Sequence, residues 1–195
     1  MRKITLAVRQ TMDGVIQDPN TPSDYFKQGW SPAFWDDKAM AVYDSIFGAP
    51  FDLLLGRKTY DVFAGYWPHH TKGFVIAEGI AKANKYVLTH REDTFAWDNT
   101  FRLRGIDDIK KLKASEGRDL LIQGSASLYP PLLVEGLIDK IYILTFPVVI
   151  GSGQHLFGPG TPISTFRLVR TEVSTTGIII ANYEPSGETP IRPKE

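Results

Sequence analysis

Apolar and polar positions alternate at the start of the chain. Ile4, Leu6 and Val8 recur with a period of two, which predicts a strand with one buried face. Asp13-Gly14 predicts a turn, with Val15 and Ile16 resuming an extended segment. From 17 to 35 the period is lost. Pro19, Pro22, Gly29 and Pro32 are interleaved with Tyr25, Phe26, Trp30, Phe34 and Trp35. This reads as a loop that packs on something, either a bound ligand or the core. Asp36 or Asp37 can cap a helix running to about residue 47, with Met40, Tyr43 and Phe47 at helical spacing. Gly48-Ala49-Pro50 stops it.

Residues 51–55 read as an apolar run, suiting a strand covered on both faces. A helix follows from about Arg57, with Tyr60, Phe63 and Trp67 inward and Pro68 at its end. The pattern then predicts a strand at 73–77, a short helix at 79–84 and a strand at 86–89. A helix over 107–115 closes at Gly117, a strand covers 120–123, and a helix runs from near 125 to before Gly136. Beyond this the pattern changes. Segments 140–149, 166–175 and 178–183 are strand-like with no helix between them, and Thr176-Gly177 joins the last two as a hairpin. Strand–helix alternation followed by strands alone predicts a mainly parallel sheet with an antiparallel C-terminal edge. The expected domain covers 1–184, and 185–195 forms a polar, Pro-rich, frayed tail.

Composition narrows the classes. A chain of 195 residues with 43% hydrophobic residues suits one sizeable core. Lys plus Arg and Asp plus Glu both number 22, so no global basic field gathers nucleic acid and any anion site must be local. With no cysteine, disulfides, thiolate nucleophiles and Cys-ligated zinc are excluded. No apolar run is long enough to span a bilayer, and MRKITLAV leads into no long signal-type apolar region, so the expectation is a cytoplasmic protein without a membrane partner. His69-His70 is adjacent, a spacing unsuited to metal ligation, so no metal is expected. GxxxxGK[ST], GxSxG and GxGxxG are all missing.

The chemistry concentrates where strands meet helices. In LLLGRKTY, Gly56 is followed by Arg57, Lys58 and Thr59. The first N–H groups of a helix lack helical partners and favour phosphate, and Gly56 permits close approach. Two cations at a helix start oppose its dipole, so they need a reason. LLIQGSAS repeats the arrangement with Gly124, Ser125, Ala126 and Ser127. The third junction, Thr89-His90-Arg91, carries cations where a dinucleotide site selects for a 2′-phosphate, although Glu92 and Asp93 follow at once. If the ligand is a dinucleotide, this favours NADPH over NADH.

The blocks TMDGVI, DLLLGRKTYDVFAGYWP, NKYVLTHRED, LLIQGSASLY and DKIYILTFPVVIGSGQHLF span nearly the whole chain. Together they resemble the dihydrofolate-reductase-like superfamily, and within it the C-terminal reductase domain of the riboflavin-biosynthesis deaminase-reductase RibD, in stand-alone form. The resemblance implies a single three-layer α/β/α domain with a central mixed sheet and bound NADPH. It assigns Gly56, Arg57, Lys58 and Thr59 to the cofactor phosphates, and Thr89, His90 and Arg91 to the 2′-phosphate region. Gly124, Ser125, Ala126, Ser127 and Leu128 would face the pyrophosphate and nicotinamide half, with Val15 and Ile16 near the nicotinamide. Thr145 would lie at the substrate end.

Dihydrofolate reductases carry a triple glycine where this chain has Gly124-Ser125-Ala126, and one carboxylate on the first helix, for which Asp36 and Asp37 are the nearest candidates, with helix capping as the competing role. The implied reaction is hydride transfer to a small heterocycle, with 5-amino-6-(5-phosphoribosylamino)uracil as the candidate substrate and Arg9 as a guess for its phosphate. Alternatives are a dihydrofolate or pteridine reductase and a non-catalytic NADPH-binding module. The zinc deaminase half of the bifunctional enzyme needs cysteines this chain lacks. The strand-rich C-terminal third makes a homodimer plausible.

Overall fold

The alternation at the N-terminus forms β1 (Ile4–Thr11), near the middle of a mixed sheet. The computed structural model describes residues 1–16, 29–73, 75–124 and 126–187. The expectations for Pro19, Pro22, Tyr25, Phe26, Ser125 and residues 188–195 lie outside these. The other strands are β2 (Phe51–Gly56), β3 (Lys85–Leu88), β4 (Thr100–Leu103), β5 (Asp119–Ile122), β6 (Lys140–Phe146), β7 (Phe166–Val173) and β8 (Ile179–Pro185). Their order across the sheet is β4-β3-β2-β5-β1-β6-β8-β7. Strands β1 to β6 pair in parallel, while β8 runs antiparallel to both β6 and β7. The mixed sheet with antiparallel C-terminal strands is as the pattern and the resemblance lead one to expect.

Helices cover both faces. On one face α1 (Asp37–Phe47), α2 (Arg57–Tyr66) and α3 (Val75–Lys82) bury Phe47, Tyr60, Ile76 and Ile80 against Leu53, Leu55 and Val87. On the other, α4 (Ile106–Ala114) and α5 (Tyr129–Val134) bury Ile109 and Leu132 against Leu6, Leu54 and Ile122. Every residue of β2 is buried, as a strand between two helical layers requires. Trp30 packs edge-on to Phe146, and Trp35 also meets that ring. The described part of the aromatic loop therefore caps the core. Among the described residues no helix is long and apolar enough to cross a membrane.

Three local expectations are corrected. The strand expected at 73–77 is overturned over 75–77, which belong to α3, where Ile76, Ala77 and Ile80 share one buried face; residue 74 lies outside the described residues. Gly79, expected at the start of the short helix over 79–84, lies inside α3 and is needed for packing: a Cβ there would sit 2.7 Å from the Phe51 ring. Strand β4 was not expected; it is a four-residue sheet edge in which Leu103 alone is buried and the other three residues are exposed or half-exposed. Finally, β2 is not wholly apolar, because Asp52 lies buried within it and pairs with Arg2.

Two carboxylates tie distant segments together. Asp36 caps α1 by accepting from the Ala39 N–H (2.7 Å), and its second oxygen accepts from the Thr175 hydroxyl and backbone N–H in the β7–β8 turn. Asp13 accepts from the Thr11 hydroxyl and from the Gly151 N–H (2.7 Å), joining the TMDGVI and PVVIGSGQHLF blocks. The Thr175 hydroxyl and Ala39 N–H hold the Asp36 pKa down to about 2, and the Thr11 hydroxyl and Gly151 N–H do the same for Asp13. A depressed native pKa gives stability that is complete above the unfolded value near 4 and lost as pH falls through about 2. Melting temperature measured from pH 5 downward should fall across that window. Asp13→Asn and Asp36→Asn should each start lower and fall less; an acid slope unchanged in both would refute the linkage.

Candidate cofactor cleft

Strands β2 and β5 are neighbours, but their following helices leave to opposite faces: α2 joins one layer and α5 the other. Diverging connections open a crevice beyond the carboxyl ends of parallel strands. A cleft of about 1150 Å³ lies there. The register aligns Gly56 with Leu88 and Leu53 with Leu121, so the turns after β3, β2 and β5 stand side by side. After β2 the chain enters α2 at once, after β5 it turns at Gly124, and after β3 it runs into an irregular segment over 89–99.

The cleft brings together most of the cofactor-binding expectations. Gly56, Arg57, Lys58 and Thr59 line it, as do Thr89, His90 and Arg91. Gly124, Ala126, Ser127 and Leu128 form the next wall, and Ile16 closes one side. Gly124 has φ +84°, and a Cβ there would lie 3.7 Å from Thr59, so the two turns nearly touch. Val15 does not reach the cleft. It is fully buried, bridged to His155, and its N–H donates to the Thr11 hydroxyl, which fixes Ile16 beside it.

The charges at the β2–β3 end are sorted by their partners. The Arg57 guanidinium donates to Asp61 and Asp93, each at 2.7 Å. Asp93, then Asp61, raise its proton affinity further. Arg91 lies 3.6 Å from Asp61 and 3.3 Å from Asp93. Two cations and two anions thus cancel, and Glu92 is engaged by Arg104 and Arg102. Lys58 lines the cleft without an ion-pair partner among the described residues. It, rather than Arg57, leaves this end net positive.

The three residues expected at the chemistry are elsewhere. Asp36 folds back on its own helix, as an N-cap must, and its other oxygen is taken by the turn at Thr175. Asp37 is exposed in the first turn of α1. Thr145 accepts from the Gln10 side chain at 3.2 Å, and strand alternation gives the cleft Leu144 in its place. The far end of the cleft, by β1 and β6, is instead formed by Arg9, Tyr43, Gln123 and Leu144. Gln123 donates to the Tyr43 hydroxyl at 3.2 Å, and the Tyr43 ring is wedged against Trp35 and Phe47. Burial raises the Tyr43 pKa, opposed by the Arg9 charge and the Gln123 hydrogen bond, so the phenol stays protonated at neutral pH. Tyr43, Phe63 and Trp67 read in sequence as core-facing helical positions; all three line the cleft. An aromatic at helical spacing carries no mark of which side of the core it faces.

Residues 2–180 match the family model described as the RibD C-terminal domain. Two relatives in Bacillus subtilis (strain 168), the uncharacterized proteins YyaP and YwjB, are each 26% identical to the chain. The YyaP match covers 95% of this chain and 96% of YyaP; the YwjB match covers 88% and 91%. A candidate riboflavin biosynthesis protein from Shewanella sp. PV-4 shares the fold with TM-score 0.71 at 20% identity, over 94% of this chain and 99% of that one. A pyrimidine reductase-like protein from Corynebacterium diphtheriae does so with TM-score 0.63 at 13% identity, over 96% and 93%. The dihydrofolate reductase of Enterococcus faecalis, complexed with NADP(H) and RAB-propyl, gives TM-score 0.62 at 16% identity, over 94% and 96%.

Proposed function

The chain belongs to the RibD C-terminal domain family, and on that premise we propose that it is an NADPH-dependent reductase acting on a small heterocyclic or ribosylamino-pyrimidine substrate. The observation that carries this reading is the meeting of three strand-end turns in one cleft, with a net positive charge at one end and a phenol at the other. A solved relative in fold, the Enterococcus faecalis dihydrofolate reductase, is complexed with NADP(H).

The residues present fit the cofactor. The leading N–H groups of α2 and the Thr59 hydroxyl suit phosphate oxygens, and Gly124 keeps the adjoining turn free of a side chain. Ala126, Ser127 and Leu128, with Ser125, would flank the pyrophosphate and nicotinamide half, and Ile16, backed by Val15, the nicotinamide. Thr89, His90, Arg91 and Lys58 would surround the 2′-phosphate, with Arg57 bracing Asp61 and Asp93. When bound, NADPH supplies the hydride; the chain supplies orientation and a site shielded from water.

Titration by nicotinamide fluorescence tests this. Lys58→Ala should weaken NADPH about tenfold, the scale of one charge-assisted contact, and leave NADH nearly unchanged. Equal weakening of both would remove Lys58 from the 2′-phosphate role, and no NADPH uptake by folded wild-type protein would end the cofactor reading. NADPH binding without oxidation across pterins, the pyrimidine intermediate and simple carbonyls would favour a non-catalytic binding module. Oxidation with dihydrofolate or a pterin alone would favour the pteridine reductase.

A further inference from the structure

The end of the cleft opposite Lys58 has a chemistry of its own. Arg9 projects from β1, the third strand spacing along from β3, or about 14 Å at the usual inter-strand distance. Its guanidinium donates to the Ser31 hydroxyl at 3.2 Å, and no carboxylate pairs with it among the described residues. The cleft lining includes no Asp or Glu among the described residues. Tyr43 is therefore the oxygen acid that faces this space. Its oxygen accepts from Gln123, which leaves the phenolic hydrogen free to point into the cleft. The ring is held edge-on by Trp35 at 5.1 Å and tilted against Phe47 at 4.3 Å, so the hydroxyl is positioned by packing as well as by Gln123.

We propose that this end takes an anionic compound bearing a C=O or C=N bond, with Arg9 pairing its carboxylate or phosphate, Tyr43 delivering the proton and Gln123 positioning Tyr43. The assignment rests on the cofactor reading, since the reductant is a reduced nicotinamide. The electrophilic carbon takes the nicotinamide's hydride while the π pair of the double bond moves to the heteroatom. That heteroatom takes the phenolic proton, and solvent returns a proton to Tyr43. The products are an alcohol or amine and the oxidised nicotinamide. A carboxylate is not required at this site, because a phenol carries its proton at neutral pH and Gln123 and the flanking rings hold this one in place. Asp36 and Asp37 thus have no part in this step.

A matched pair of aldehydes tests it: 4-carboxybenzaldehyde and its neutral methyl ester, methyl 4-formylbenzoate. Binding to the full-length protein loaded with NADP⁺ is followed by tryptophan fluorescence, since Trp67 lines the cleft and Trp35 touches Tyr43. The charged aldehyde should bind about tenfold or more tightly than the ester, and Arg9→Met should bring the two to parity. With NADPH, the same variant should raise KM for the charged aldehyde and leave kcat nearly unchanged. Tyr43→Phe keeps the ring packing and should lower kcat on both aldehydes about a hundredfold, with KM little changed. A charge preference absent from the wild type or surviving in Arg9→Met overturns the anion assignment. A kcat retained in Tyr43→Phe, or NADPH bound with neither aldehyde reduced, overturns the proton assignment. If the wild type binds no NADPH, it is the cofactor reading that fails, and the charged-against-neutral comparison on cofactor-free protein still decides the role of Arg9.

Discussion

Asp52→Ala should destabilise the protein by about 3–5 kcal/mol, the cost of leaving a buried charge without its partner. The Arg2 and Asp52 side chains are 2% and 3% exposed and form an ion pair. Arg2 also donates to the Arg118 carbonyl and lies over the Tyr86 ring, while Asp52 accepts from the Asn84 N–H. The pair fastens the start of β1 to β2 at the end of the sheet away from the cleft. For a domain of this size each kcal/mol shifts the melting temperature by about 2–4 °C, so the midpoint should fall by roughly 6–20 °C. Replacing both partners by apolar residues, Arg2→Met with Asp52→Leu, should recover most of the loss, because neither charge is then stranded. Denaturant unfolding measures both. A single-variant loss below about 1 kcal/mol would show that water reaches the pair, contrary to its burial.

Gly124→Val should separate folding from binding. Gly124 has φ +84°, where a β-branched residue is strongly disfavoured, so a cost of about 1–3 kcal/mol in stability is expected. The new side chain would also stand between Thr59 and the 126–128 turn, in the space that the proposed function gives to the cofactor pyrophosphate. NADPH affinity, measured on protein shown to be folded by circular dichroism, should then fall about a hundredfold, more than the stability loss alone accounts for. Unchanged affinity in folded Gly124→Val would remove the junction after β5 from the cofactor site.

The parts of the fold carried by local pattern were legible. A cap at Asp36 or Asp37, of which the structure takes Asp36, the turn at Thr176-Gly177 and the change from alternating helices to bare strands need only nearest-neighbour chemistry. The errors arose where a residue's role depends on a distant partner. Residues 75–77 look like part of a strand until α3 packs on the sheet, with Gly79 against the Phe51 ring. Asp52 sits unremarked in an apolar run because Arg2, its partner, is fifty residues away in the chain. Strand β4 is too short for its alternation to register.

The candidate site divides in the same way. Glycine, hydroxyl and cation at a strand–helix junction are a signal written in consecutive residues, because the chemistry of a helix start is local. The order of these turns around one cleft, and the family to which the chain belongs, followed from those blocks. Which charges remain available did not. Arg57 and Lys58 are adjacent and equally cationic in sequence, yet Asp61 and Asp93 occupy one and leave the other. Likewise Asp36 and Tyr43 lie within one helix and its cap, and only packing turns the carboxylate toward the β7–β8 turn and the phenol toward the cleft. The chain's local chemistry marked the turns that come to line the cleft. The tertiary structure alone decided which side chains are free to meet a ligand, since ion pairs and orientation depend on residues brought close by the sheet.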